Sequence, residues 1–406
     1  MKGILGFIGE RLTESREARG ITKSSLANLI GVAPPQITKY ENGDQTPSQG
    51  TLEKICSVLS MPVDYFFYER ERETDSSSAI FYRSISSATK RQRLSAEKKY
   101  LWVQDIYSYL WRFIEFPNVN LPEIDVPQSP ELISPDFIET VAERLRQHWG
   151  VSDSPIENIT RLVENNGIVI SFYDLEADTL DAFSQYCFDK PHIIVSNQKT
   201  ASRIRFNIAH EIGHLVLHRN ISSKVFNTNE MFKLMEKQAH RFAGAFIFPQ
   251  TPFFEEILCA DLTTFRLRKA RWKLSIAAMI YRAKDLKLID DEGEERLRRS
   301  YGRNRWNRNE PLDDEMPIDY PELLKDALEL IINEGVQSRS DVLEAIPISI
   351  SDIENLAGLE PDFLKDKVVK LKLRRLDAID SDLLDSSAQD VKHNSKVVPI
   401  GKYSKN

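Results

Sequence analysis

Two histidines four residues apart, in the run HEIGH at 210–214, constrain this chain more than any other feature. They sit inside KTASRIRFNIAHEIGHLVLH, the strongest helical pattern of the sequence. Apolar Ile208, Ala209, Leu215 and Val216 flank them at positions that face a core. Four residues advance an α-helix by about 400°, so both imidazoles share one face, one turn apart. Two neutral imidazoles so placed can bind one Zn2+ at about 2.0–2.1 Å. Glu211 lies beside that face, where it can take a proton from water at the metal.

A catalytic zinc usually has three protein ligands plus water. Three residues downstream offer the third: His218, a further turn along the same helix, and Glu236 and His240, one turn apart on the next. Spacing alone leaves the choice among them open.

Composition matters here mainly for what it excludes. The 406 residues are 41% hydrophobic and 28% charged, ordinary for a globular chain of several domains. A net charge of -7 gives no global basic signal for nucleic acid, so any DNA contact must come from a local surface. Cys56, Cys187 and Cys259 are too scattered for a disulfide framework or a CxxC site, and read as reduced thiols. The first residues lack a signal peptide's apolar core, and no run approaches the ~20 apolar residues of a spanning helix. The expected location is the cytoplasm.

Along the chain the pattern changes several times. Residues 1–68 read as about five short helices with tight turns, opening on Ile4, Phe7, Ile8 and Leu12 at helical spacing. Residues 69–130 read as a polar linker, a basic stretch (Lys90, Arg91, Arg93, Lys98, Lys99), the amphipathic helix KYLWVQDIYSYLWRFIEF, and a proline-rich segment. Residues 131–310 begin with two helices, switch to three strands at GIVISFYDL, AFSQYCF and PHIIVSN, then return to helices. Residues 311–385 read as a helical accessory region, a cap or dimer element, and 386–406 as a disordered polar tail.

Near the N-terminus, LANLIGVAPPQITKYENG resembles the helix-turn-helix of the XRE family of phage-repressor-like regulators. Leu26, Ala27 and Ile30 pack the first helix, Gly31 permits the turn, and Val32 and Ile37 are core positions of the second. Such a second helix lies in the major groove with its N-terminal residues at the base edges. Pro34 and Pro35 suit the first turn but read no hydrogen-bond code, leaving Gln36, Thr38 and Lys39 as readers or phosphate contacts. Residues 1–70 carry eight basic and eight acidic side chains, so one copy has a modest pull on phosphates and a homodimer would help.

HEIGHLVLH followed by MEKQAHRFAGAFIFP resembles the ImmA/IrrE family of zinc metallopeptidases. The resemblance extends, through the connector around IEFPNVNLP and through GRNRWNRNEP, over about residues 1–312. It implies His210, His214 and Glu236 as zinc ligands and Glu211 as general base. It makes His218 a structural residue and His240 a neighbour that fixes a ligand by hydrogen bond. The second donor for the oxyanion falls among Tyr186, His192 and His240.

The resulting expectation is a multidomain chain: an all-α helix-turn-helix domain, an α+β zincin-like metallopeptidase domain with a small mixed sheet, then a helical C-terminal region. The resemblance implies an endopeptidase that binds a double-stranded operator and cleaves a protein substrate, an XRE-type repressor, in a stress or mobile-element response. Two other readings stand beside it. In one, the peptidase-like domain senses or dimerises without turnover; in the other, the chain belongs to a toxin–antitoxin or phage-defence pair.

Overall fold

The structure, a computed structural model, describes residues 4–70, 89–175, 180–187, 190–221 and 229–365. Residues 71–88 of the expected linker, the end of the accessory region and the expected tail lie outside the described residues.

The N-terminal helices are α1 (Gly9–Ala18), α2 (Lys23–Ile30), α3 (Pro34–Glu41) and α4 (Gln49–Leu59), followed by a 3-10 turn at Val63–Phe67. The reading of a helix from Ile4 onward needs correction. Gly6 takes a left-handed turn (φ 85°), the helix opens only at Gly9, and Phe7 stacks on Phe66 instead. Thr22 caps α2 by accepting from the Ser25 amide, and Gly31 ends it at φ 76°. A buried pair between Arg16 and Glu41, 2.5 Å apart, ties α1 to the end of α3.

Helix α5 (Lys90–Leu110) starts with a Thr89–Gln92 capping box. It stops before the expected end of its pattern: Trp111 is exposed, off the buried stripe. Then come α6 (Pro135–His148), α7 (Ile159–Asn165) and three strands, β1 (Val169–Tyr173), β2 (Ala182–Cys187) and β3 (Lys190–Ser196). The sheet order is β1-β3-β2, with β1 parallel and β2 antiparallel to β3. The expected small mixed sheet is therefore present, with β2 at one edge.

This sheet divides two hydrophobic cores, and its alternation shows how. Ile170, Phe172, Ala182, Ile193 and Val195 face the core built by α6 and by α8 (Ala201–Leu217), α9 (Asn229–Ile247), α10 (Gln250–Glu256), α11 (Leu262–Trp272), α12 (Ile276–Asp285) and α13 (Asp291–Arg303). Val169, Tyr173, Phe183 and Ile194 face the other. That second core is shared by α1–α4, by α5, and by α14 (Leu323–Asn333), α15 (Arg339–Ala345) and α16 (Ile350–Ala357).

The helix-turn-helix unit thus joins the core behind the sheet through α5, against which α1 packs. Glu14 of α1 is the polar hub of that junction. It accepts from Tyr65, from the Trp102 indole of α5 at 2.8 Å, and from Arg70, which also grips Asp105. Arg19 forks onto Asp352 of α16, and Ser171 of β1 donates to the Leu356 carbonyl. Buried ionic groups paired in this way favour one arrangement of the elements.

Helix α9 lies against α8 at Gly213. A Cβ there would meet Phe242 at 3.1 Å and the Ala239 backbone at 3.2 Å, so the glycine of HEIGH lets the two helices approach closely.

Candidate metal centre

On α8 the spacing of HEIGH does what an α-helix dictates: His210 and His214 stack one turn apart, ring centroids 4.8 Å from each other. Their Nε2 atoms are 3.1 Å apart. Glu236, in the third turn of α9, reaches across the Gly213 contact. Its Oε2 lies 3.3 Å from His210 Nε2 and its Oε1 3.3 Å from His214 Nε2. One carboxylate oxygen and the two nitrogens all fall within 4.8 Å. Of the three candidates for a third donor, Glu236 alone joins the pair in a cluster among the described residues.

The donor set fits a tetrahedral ion. Ligand atoms about 2.0–2.1 Å from a tetrahedral zinc stand about 3.3 Å from one another, the spacing found here. Glu236 Oε1 is also buried without a hydrogen-bond partner among the described residues, a costly state for a carboxylate oxygen unless a cation occupies its lone pair. Burial pushes the Glu236 carboxyl up, but His210 and His214 outweigh it and hold the group well below the usual carboxylate range. For His214, burial disfavours charge, but Glu236 and then Glu211 outweigh it and raise the imidazole.

His218, fully buried, stands behind His214 with the two Nδ1 atoms 2.9 Å apart. Its Nε2 meets the Gln238 carbonyl oxygen at 3.1 Å. The Gln238 amide nitrogen donates to the backbone carbonyls of Pro130 and Ile133, at 2.7 and 3.1 Å, which fixes the amide's orientation. The tautomers follow by elimination. His218 Nε2 must donate to Gln238, so its Nδ1 accepts from His214 Nδ1, and His214 Nε2 is left with its lone pair toward the cluster. Burial and then His214 depress the His218 pKa, which keeps this imidazole neutral. The sequence reading left His218 with an unspecified structural role; Gln238, an unremarkable helix residue by pattern, was missed.

Ser184 was missed too. It lies on β2, opposite Ile193, and so faces α8, where its hydroxyl donates to Glu211 Oε2 at 2.7 Å. Tyr186, two residues on, shares that face. His192 does not: it points into the opposite core, wholly buried between Tyr100 and Tyr107 of α5. Its expected place among the oxyanion donors is therefore corrected, because one step along a strand reverses the face. Burial drives its pKa down to about 3.

His240 does not bond a ligand residue. Its ring packs on Phe206 and edge-on to Tyr281, centroids 4.8 and 5.3 Å away, and burial with the His210 charge lowers it to about 4. Side-chain exposure of 17% at His210 and 31% at Glu236, against 5% at His214, puts the open side of the cluster at the first two.

On the N-terminal unit, Gln36 and Thr38 are half-buried and Lys39 is exposed along α3. Gln36 donates to the Gln45 side chain at 2.5 Å.

Comparison with known proteins supports both halves of this architecture. Residues 163–284 match the IrrE N-terminal-like domain, a peptidase family, and residues 12–66 match the helix-turn-helix family. The chain thus carries an IrrE-like domain behind an XRE-like helix-turn-helix. Among the relatives is an uncharacterized transcriptional regulator in the ATPase CF(0) region of Rhodospirillum rubrum. It is 40% identical over 65 residues, 16% of this chain and 60% of that protein. An uncharacterized HTH-type transcriptional regulator of Rickettsia prowazekii is 38% identical over 61 residues, 15% and 47% of the two chains. The HTH-type transcriptional regulator ImmR of Bacillus subtilis is 24% identical over 98 residues, 24% of this chain and 76% of ImmR. This chain spans about half the length of the first two relatives. Among the described residues no helix is long and apolar enough to cross a membrane.

Proposed function

We propose that this chain is a cytoplasmic, DNA-binding regulator whose IrrE-like domain is a zinc-dependent endopeptidase. The observation that carries the proposal is the convergence of His210 Nε2, His214 Nε2 and the Glu236 carboxylate at mutual distances of 3.1–3.3 Å. Zinc held by these three residues would act as a Lewis acid toward water and a peptide carbonyl.

The chain's own residues then divide the remaining work. Gln238 and His218 hold His214 in the tautomer that presents Nε2. Glu211 accepts the proton of the attacking water and returns it to the leaving amine. Ser184 fixes one Glu211 oxygen and leaves the other for that transfer. Tyr186, on the same face of β2, and His240, beside the cluster, are the remaining candidates to donate to the oxyanion.

The substrate class we propose is a repressor-type regulator with a helix-turn-helix of its own, cut in a stress or mobile-element response. This rests on the resemblance of HEIGHLVLH and MEKQAHRFAGAFIFP to the ImmA/IrrE family, and on the company the site keeps with a helix-turn-helix. The operator is double-stranded DNA, read from α3 through Gln36, Thr38 and Lys39, with a homodimer adding affinity. The test is co-expression with neighbouring helix-turn-helix regulators, wild type beside Glu211→Gln. A regulator cleaved only by the wild type supports the reading; no cleavage of any with the zinc-loaded protein contradicts it.

A second reading keeps the metal but not the turnover. One core joins the helix-turn-helix to the back of the sheet whose front carries Ser184, so occupancy of the site would bias DNA binding directly. Operator affinity that changes with zinc, equally in wild type and Glu211→Gln, would favour it.

A further inference from the structure

We infer that the first two turns of α5 form a phosphate clamp beside the helix-turn-helix, gripping the DNA backbone through Lys90, Arg91 and Arg93. The inference rests on the DNA-binding reading above and names a second surface for that partner.

The argument starts from where the helix-turn-helix spends its own cations. Arg11 and Arg70 pair with Glu14, Arg16 and Lys23 with Glu41, and Arg19 with Asp352. Lys54 donates to the Ile30 carbonyl. Five of the unit's cations are thus paired with carboxylates, and Lys39 is the exposed cation on α3. A reader so depleted has little pull on a phosphate backbone, although that pull supplies most sequence-independent affinity.

The packing of α5 supplies what is missing. Toward its middle, Trp102 and Asp105 meet the hub at Glu14 and Arg70. Two to three turns earlier, Ser95 donates to the carbonyl of Ala18, the last residue of α1, at 2.7 Å. Moving forward along α1 is thus moving backward along α5, so the two helices run antiparallel. Beyond Ala18 the chain turns into Thr22, the cap of α2; beyond Ser95 in the same direction lie Arg93, Arg91 and Lys90. The basic end of α5 therefore runs past the C-terminal end of α1, from which the chain turns into α2. In a helix-turn-helix that helix crosses the DNA backbone, with its free amides toward phosphate.

All three side chains are exposed. The first turn of α5 contains no acidic residue, although helix starts favour acids electrostatically. Cations there add to the positive end of the helix and make a strongly positive locus that suits a polyanion. Lys98 and Lys99 are not part of it: Lys98 pairs with Glu97, and Lys99 turns to the Asp174 carbonyl.

The test uses the full chain and a labelled random-sequence duplex, because a phosphate clamp acts without regard to sequence. Affinity is followed by anisotropy between about 50 and 200 mM salt, where each phosphate contact contributes about 0.9 to the slope of log K against log salt. In the triple variant Lys90→Ala, Arg91→Ala, Arg93→Ala the slope should flatten by about 2–3, with Thr89 and Gln92 left to cap the helix. A charge-matched control, Arg296→Ala, Arg299→Ala, Arg303→Ala, removes exposed cations from α13 and should leave the slope unchanged. An unchanged slope in the first variant, or equal flattening in both, overturns the clamp while leaving DNA binding by α3 intact. Absence of any binding by the wild type at the lowest salt overturns the clamp and the DNA-binding reading together.

Discussion

Ser184 and Glu211 meet across the gap between an edge strand and the metal-site helix, hydroxyl to carboxylate, at 2.7 Å. The contact gives Glu211, the proposed general base, a fixed orientation that a helix position alone does not. A hydrogen bond to a charged group is worth about 1.5–3 kcal/mol, so Ser184→Ala should lower kcat/KM about tenfold or more. Zinc content should not change. Peptidase assays beside metal analysis check this, and full activity in the variant would remove Ser184 from the mechanism.

The relay Gln238–His218–His214 predicts a different signature. Residues that fix a ligand's tautomer typically affect metal affinity by about 10–100-fold. Both His218→Ala and Gln238→Ala should weaken zinc by that order, measured by competition with a chromogenic chelator. Gln238→Glu keeps an acceptor for His218 but sets a carboxylate oxygen against the Pro130 and Ile133 carbonyls, so it should weaken zinc as well. Wild-type zinc affinity in all three variants would show that His214 needs no such support.

Gly213→Ala tests how tightly α8 and α9 must close. The added methyl meets the Ala239 backbone, which cannot move aside as a side chain can. Overpacking of this kind costs about 1–3 kcal/mol, partly offset by the better helix propensity of alanine. The variant should melt several degrees lower and bind zinc more weakly, since Glu236 reaches the histidines through this contact. Unchanged melting and zinc affinity would contradict the close approach.

His192 carries the pH prediction. Its folded pKa of about 3 lies below the ordinary imidazole value of 6.5, so as pH falls the unfolded chain takes up the proton first. The stability associated with the neutral, buried ring is present above pH 6.5 and is lost progressively down to about pH 3. Between pH 6.5 and about 5 the loss is roughly 2 kcal/mol, at 1.36 kcal/mol per unit. His192→Phe keeps an aromatic ring between Tyr100 and Tyr107 and should flatten that part of the denaturation profile. An equally steep profile in the variant would assign the acid sensitivity elsewhere.

Much of this molecule was legible because local periodicity carried it. HEIGH places two imidazoles by helix geometry alone, and the three strands and the helix-turn-helix stand where their patterns lie. Glu236 needed more: spacing left it level with His240 and His218, and only the packing at Gly213 brings it to the pair. Ser184 and Gln238 were invisible because their roles depend on strand register and on backbone carbonyls distant in sequence. The face of His192 was misjudged, since a buried two-sided strand gives no polar alternation to read. The shared core of the helix-turn-helix, α5 and α14–α16 was equally hidden: amphipathic helices announce a buried face but not the partner that covers it.

The most direct test of the central claim is the zinc content of the purified protein by mass spectrometry, for wild type, His214→Ala and Glu236→Ala. The geometry of the cluster predicts about one zinc per chain in the wild type and a loss in both variants. A wild type free of zinc under metal-replete conditions, or zinc retained in Glu236→Ala, would contradict the His210–His214–Glu236 centre.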